Sequence, residues 1–169
     1  MSDFEKGIVQ KLMEAGIDSE TADKVVNAIL KADDDNPGSA ACEAMDQAAQ
    51  AIADLMTKPG FVNLDPDDVK QMMEGVSLAY VGHGTANGKN KAIEAAEKAL
   101  DSLRLPKPLT DIRKFILGIT TSPDTILLEM TSGAEVIKDK IHPDAYLLWG
   151  HCIDEGFGDN MSVTIIALA

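Results

Sequence analysis

Residues 76–100 read VSLAYVGHGTANGKNKAIEAAEKAL. The first half is apolar and rich in small residues, and the second half is charged and alanine-rich. VSLAYVGHGTA, 76–86, predicts a strand. NKAIEAAEKALDSL, 90–103, predicts a helix with Ile93, Ala96 and Leu100 turned inward. Between them stand glycines at 82, 84 and 88. They do not form a dinucleotide fingerprint, because Asn87 occupies the place of its third glycine. They do not form a phosphate-binding Walker loop either: His83 stands at its first glycine and Asn90 replaces its Ser/Thr. The glycines therefore read as a strand that lets another backbone come close and then turns.

Downstream, Pro106 and Pro108 mark a loop, and KFILGITTS, 114–122, is a strand. Ser122-Pro123-Asp124 reads as a cap followed by proline, opening a helix to about residue 139 that Gly133 weakens. AYLLWGHCI, 145–153, and SVTIIALA, 162–169, are apolar strands. The intervening DEGFGDN predicts that they form an antiparallel hairpin. Strands joined through helices imply right-handed crossovers. The expected fold class is α+β, a mixed four-stranded sheet with helices packed on it.

Upstream, residues 39–56, SAACEAMDQAAQAIADLM, make a long core helix. Cys42, Met45, Ile52 and Leu55 line one side, and Ala41, Ala44, Ala48 and Ala51 another. A helix apolar on several sides needs cover from two directions. Residues 4–15 place Phe4, Ile8, Val9, Leu12 and Met13 on one face, and Gly16 ends that helix. Asp18 or Ser19 caps a second, striped with Ala22, Val25, Val26, Ile29 and Leu30. The chain thus divides into a helical hairpin appendage at 1–31, a linker at 32–38, and a domain at 39–169 that begins with the core helix. The hairpin is expected to dock on the alanine face of that helix. The alternative is a separate interaction module.

The totals exclude several functions. The 169 residues are 45% hydrophobic and carry a net charge of −13, with a pI near 4.5. Such a chain repels phosphate backbones and anionic lipid, so neither nucleic acid nor a membrane surface is an expected partner. Trp149, Tyr80, Tyr146 and four Phe are too few for base stacking. No apolar run reaches membrane-span length, and MSDFEKG is no secretory signal. Cys42 and Cys152 are expected to be buried free thiols in a reducing cytoplasm. KADDDNPG is no calcium loop, since Pro37 and Ala44 stand where ligands belong. His83, His142 and His151 share no metal-ligand spacing, and His151 and Cys152 point to opposite faces of a strand. His142-Pro143-Asp144 reads as a turn. No metal and no cofactor are expected, and no Ser/His/Asp set assembles.

One acidic stretch stands out. Residues 63–70 are NLDPDDVK. Asp65 is a good N-cap, Pro66 suits the first helical position, and Asp67 and Asp68 favour the positive end of the helix dipole.

Taken in order, three blocks resemble the C-terminal half of FtsZ, the prokaryotic tubulin homologue of cell division. AAQAIADLMTKPGFVNLDPDDVKQMM is similar to the end of the FtsZ core helix and the loop after it. VSLAYVGHGTANGKNKAIEAAEKAL resembles the family's small-residue strand, G-x-G-x-A-x-G turn and N-R-A-x-E-A-A helix, with Thr85 and Lys91 as departures. WGHCIDEGFGDNMSVTIIALA resembles the closing strands with their acidic turn. The likeness runs over about 130 residues, from near Gly38 to Ala169. The glycine-rich G-G-G-T-G-T-G signature of the nucleotide domain does not occur in the chain, nor does the tail that usually follows the last strand.

In that family one subunit holds GTP, and the next inserts an N-x-D-x-x-D loop whose carboxylates polarise the attacking water. Asn63, Asp65 and Asp68 match that loop residue by residue. The resemblance implies half of a shared GTPase site, acting only in trans on the nucleotide of a full-length FtsZ. Alone, the chain is expected to bind no GTP and to be no enzyme. Docking of the loop would cap or modulate FtsZ filaments. The alternative is a structural module that binds itself or another protein, with the loop reduced to a helix cap. A small-molecule enzyme lacks any identifiable nucleophile.

Overall fold

A computed structural model describes residues 1–32 and 39–169. The elements are α1 (Asp3–Glu14), α2 (Ser19–Ala32), α3 (Ser39–Thr57), α4 (Pro66–Met72), β1 (Ala79–Asn87), α5 (Lys91–Ser102), β2 (Lys114–Thr121), α6 (Leu127–Lys140), β3 (Tyr146–Ile153) and β4 (Asn160–Leu168). Ala32 ends α2, and the rest of the expected linker lies outside the described residues.

The fold is α+β around a mixed four-stranded sheet, as expected. Its strand order, β1-β4-β2-β3, corrects one expectation. β3 and β4 are not a hairpin. β3 runs parallel to β2 at one edge, while β4 crosses back to pair antiparallel with both β1 and β2. The reason lies in the composition of β4. Met161 through Leu168 are buried without a break, and a strand covered on both faces belongs in the middle of a sheet. The short Gly/Asp-rich connection permits a hairpin but does not require one.

The sheet lies between two helical layers. On one face Phe115, Leu117, Ile119, Val163 and Ile165 pack under α5 and α6. On the other, Ile116, Ile166 and Leu168 share a core with α3 and the α1–α2 pair.

The β1–α5 contact is unusually close. A Cβ on Gly82 would stand 2.2 Å from the Ala99 carbonyl oxygen, and one on Gly84 would stand 2.3 Å from that of Ala95. Helix backbone lies directly on strand backbone, so α5 must face the strand with its smallest residues. Ala92, Ala95, Ala96 and Ala99 are buried there, whereas Ile93, expected inward, is 40% exposed. The helix has rotated its large residue out because the glycine seat has no room for it.

α1 starts with a capping box: the Ser2 hydroxyl accepts from the Glu5 amide at 3.2 Å, and the Glu5 carboxylate accepts from the Ser2 amide at 2.9 Å. Gly16 closes the helix at φ +110°, a conformation that favours glycine. Asp18 caps α2, accepting from the Thr21 amide at 3.0 Å. Ile8, Leu12, Val25 and Ile29 then pack with Met45, Ala48, Ala49 and Ile52 of α3 in one cluster. Each such large side chain stabilises by roughly 1.5–3 kcal/mol when fully buried.

Two further expectations change. Cys42 is exposed, whereas Met45, one turn later on α3, is buried. Ser122 does not cap α6. Its hydroxyl pairs with that of Thr125 at 3.4 Å inside a turn closed by the Thr125 amide on the Ser122 carbonyl, and the helix begins at Leu127.

Two stability measurements follow from this packing. Gly84→Val should lower the unfolding free energy by about 1–3 kcal/mol or more in urea, as overpacking does. Leu12→Ala should cost about 2–5 kcal/mol, with the hairpin and the sheet still unfolding in one transition. An early separate loss of helix in that variant would mean that the hairpin is energetically independent.

Candidate functional site

The acidic stretch is carried by a segment pinned along the outer edge of β3. After α3 ends at Thr57, the chain runs antiparallel to β3 with a bridge between Val62 and His151. The His151 amide donates to the Val62 carbonyl, and the Ile153 amide to the Pro59 carbonyl, each at 2.7 Å. Gly60 is dictated by this contact, since a Cβ there would lie 1.8 Å from the His151 carbonyl oxygen. Leu64 is buried, and its amide donates to the Leu55 carbonyl at 3.0 Å, tying the segment to the last turns of α3. Lys58 stands between Asp54 at 3.3 Å and Asp154 at 3.5 Å. These half-exposed pairs add little stability.

His151 is 0% exposed and uses both ring nitrogens. Nδ1 lies 3.1 Å from the Phe61 amide, and Nε2 lies 2.8 Å from Thr121 Oγ1. A backbone amide can only donate, so Nδ1 must be the acceptor and Nε2 carries the proton. The Phe61 ring stacks on the imidazole, with centroids 5.3 Å apart and planes inclined by 25°. Burial pushes the His151 pKa below its ordinary value, so the ring is neutral where an ordinary histidine begins to titrate. Sequence reasoning did place His151 and Cys152 on opposite faces. It missed the role of His151, because the partners of that ring lie 30 and 90 positions away. Cys152 is buried, contacts Thr120 Oγ1 at 3.3 Å, and has its thiol pKa raised by burial, which makes it a poor nucleophile.

Beyond Leu64 the segment turns into α4. Asp65 is its N-cap at φ −89°, ψ 139°, and its carboxylate accepts from the Asp67 amide at 2.8 Å. Val69 and Met72 are buried and seat the helix. Asn63, Asp65, Asp67 and Asp68 are all exposed. The side chains of Asn63 and Asp68 make no hydrogen bond among the described residues. Asp65 and Asp68 are three positions apart, so they lie on neighbouring parts of one surface at the start of the helix. The α1–α2 turn abuts α4: Lys70 stands 3.8 Å from Asp18, and a Cβ on Gly16 would meet Pro66 at 3.4 Å. The result is a fixed display of solvated carboxylates that could orient a water only when a second surface closes over them.

Among the described residues no other chemical centre competes with it. Among the described residues no group of His, Cys, Asp and Glu could hold a metal ion. His142 closes a turn by accepting from the Asp144 amide at 3.0 Å, and His83 bonds Thr164 Oγ1 at 2.9 Å. No helix among the described residues is long and apolar enough to cross a membrane.

Comparison with known proteins agrees with the fold. Residues 77–169 match the model of the FtsZ family, C-terminal domain. Cell division protein FtsZ 1 of Archaeoglobus fulgidus is 36% identical over 124 residues, covering 73% of this chain and 34% of that protein. Cell division protein FtsZ of Methanothermobacter thermautotrophicus is 33% identical over 124 residues, covering 73% and 32%. The chain thus spans about a third of the length of these curated relatives. Among solved structures, the empty FtsZ dimer of M. jannaschii superposes with a TM-score of 0.66 at 24% identity, over 83% of this chain and 43% of that one. CetZ1 from Haloferax volcanii, a GDP-bound monomer, superposes with a TM-score of 0.54 at 15% identity, over 78% and 41%. At those identities the structures speak for the fold alone, and the family assignment rests on the matched sequence. The chain belongs to the FtsZ family, whose C-terminal domain it carries at residues 77–169.

Proposed function

We propose that this chain is a non-enzymatic, FtsZ-like protein that docks its acidic loop onto the nucleotide face of a GTP-bound, full-length FtsZ in the cytoplasm. In this reading Asn63, Asp65 and Asp68 act only in trans. The carboxylates orient a water toward the γ-phosphate, and positioning carries most of such phosphoryl-transfer catalysis. The chain itself holds no nucleotide and uses no cofactor. It therefore caps or modulates the filament it joins. The hairpin at 1–31 serves as cover for the 39–169 unit.

One observation carries the reading. The loop is exposed and acidic, yet it is clamped on its N-terminal side by the edge pairing of Pro59 and Val62 on β3 and by the Leu64–Leu55 hydrogen bond, and seated on its other side by the buried Val69 and Met72 of α4. The clasp closes the β3 edge and at the same time fixes where the exposed carboxylates stand relative to the sheet.

A second reading has an observation of its own. One oxygen of Asp65 is already committed to the Asp67 amide, which is all that a cap requires. The chain would then be a scaffold that associates with itself or another protein, and the loop would be vestigial. Sedimentation separates the two, since a stable self-assembly burying the loop favours the scaffold.

The decisive assay follows GTP turnover and light scattering of a cognate full-length FtsZ. Wild-type chain should alter both. Asp68→Ala should reduce the effect on turnover by about 10²-fold or more while leaving the fold intact. Asp65→Asn keeps an equally good cap and should lose the effect without losing stability. Asp65→Ala should lose the effect and also about 1 kcal/mol of stability. Equal inertness of wild type and all three variants would remove the filament reading.

A further inference from the structure

We propose that His151 is the positioning residue of the acidic loop: as a neutral imidazole it holds Pro59–Leu64 against the edge of β3, and it lets that segment go when the ring takes a second proton. This deepens the filament reading of the loop and supplies its regulation.

The geometry leaves the ring no alternative role. Its Nδ1 accepts from the Phe61 amide at 3.1 Å. Its Nε2 donates to Thr121 Oγ1 at 2.8 Å, and Thr121 Oγ1 donates onward to the Ser122 carbonyl at 3.1 Å. Thr121 is fully buried, so the relay is sealed from water. The backbone of His151 pairs with Val62, and the His151 carbonyl fills the place where Gly60 would carry a side chain. One residue thus grips the segment at Gly60, Phe61 and Val62.

A proton added to Nδ1 turns its hydrogen bond into two donors facing each other. The Phe61 amide cannot reverse its role, so the segment must move away or the ring must flip out of its seat. The cation would also have no partner. Asp54 at the end of α3, Lys58 on the segment and Asp154 after β3 act on the Cys152 thiol, on the opposite face of the strand, and Asp124 stands in the turn after Thr121; none of them acts on the His151 ring. Lys58 already pairs with Asp54 and Asp154. The acidic group at Asp65, Asp67 and Asp68 is exposed at the far end of the loop. Burial alone, with no carboxylate contributing, lowers the affinity of the ring for a proton.

The sign follows directly. The folded pKa lies below the ordinary value of 6.5, so the released state binds more protons in the window between the two. The clasp is at full strength above about pH 6.5 and weakens as pH falls below it. Within that window, the opening equilibrium should rise by up to about tenfold for each pH unit.

The test needs no partner protein. Nitrogen NMR of the imidazole reports the tautomer and the titration. Amide exchange, corrected for intrinsic rates, reports protection at Phe61, Leu64 and Ile153 against amides of β4 as the control. The expected result is an Nε2–H tautomer titrating below 6.5. Protection at the three segment amides should fall with that titration while β4 stays protected. His151→Gln can accept from the Phe61 amide and donate to Thr121 without ever charging, so it should hold the segment with no pH dependence. A ring carrying its proton on Nδ1, segment protection unchanged through the titration, or the same pH dependence in His151→Gln would each overturn the proposal. Failure of the GTP assay above would leave these readouts untouched, so the two ideas fall separately.

Discussion

The arrangement depends on backbone meeting backbone where a side chain is missing. α5 can lie on β1 only because Gly82 and Gly84 present no Cβ to the carbonyls of Ala99 and Ala95. That contact sets the height of α5 above the sheet, and α6 then packs beside it through Gly133, where a Cβ would lie 3.0 Å from the Ala92 carbonyl oxygen. The opposite face repeats the device more mildly. Leu55 of α3 reaches down over Gly118 and Gly150, within 3.2 and 3.0 Å of where their Cβ atoms would be. Both helical layers are therefore set close to the strands. The interior gains dispersion contacts that depend steeply on that distance.

The same closeness governs the edges. An open sheet edge offers unpaired amides and carbonyls to any passing strand. Along β1 they are met by side chains of α5: the His83 amide donates to Ser102 Oγ at 2.8 Å, and the Lys98 ammonium donates to the Thr85 carbonyl at 3.0 Å. These reaches are possible because α5 sits so low. At the other edge the end of β3 is taken by Pro59 and Val62. The segment that carries the acidic loop is thus also the guard of that edge, and its position is an energetic requirement of the sheet.

Much of this was legible in the sequence. The order of helices and strands followed from periodicity and from the Gly/Pro breaks, and the glycine strand was recognised as a site of close approach. The errors share a cause. Each came from reading a local signal without the other side of the contact. The Gly/Asp turn at 154–160 looked like a hairpin, yet the unbroken apolar run of SVTIIALA already spoke for a strand buried on both faces. Ile93 seems a natural inward residue because it is large and apolar, but the partner surface is glycine and admits only alanine. Ser122 appeared to be a cap because nothing in the sequence tells that Thr125 takes its hydroxyl.

The loop itself was half legible. NLDPDDVK announces a helix start, and the geometry of Asp65 is that of an N-cap. What holds the start in place is invisible in the stretch. It consists of Gly60, needed by a carbonyl of β3, and His151, needed by an amide of the loop. A solitary histidine with no spacing to another ligand looks inert, and for metal binding it is. Its chemistry appears only when residues 61, 121 and 151 come together. The cap places Asp68 beside Asp65 within one turn, while the clasp decides where that turn stands relative to the sheet. Capping and presentation are therefore separate demands on one loop. The cap and the edge-guarding clasp serve either a scaffold or a protein that reaches into a partner's nucleotide site, but only the second also needs its carboxylates left exposed, as those of Asp65 and Asp68 are.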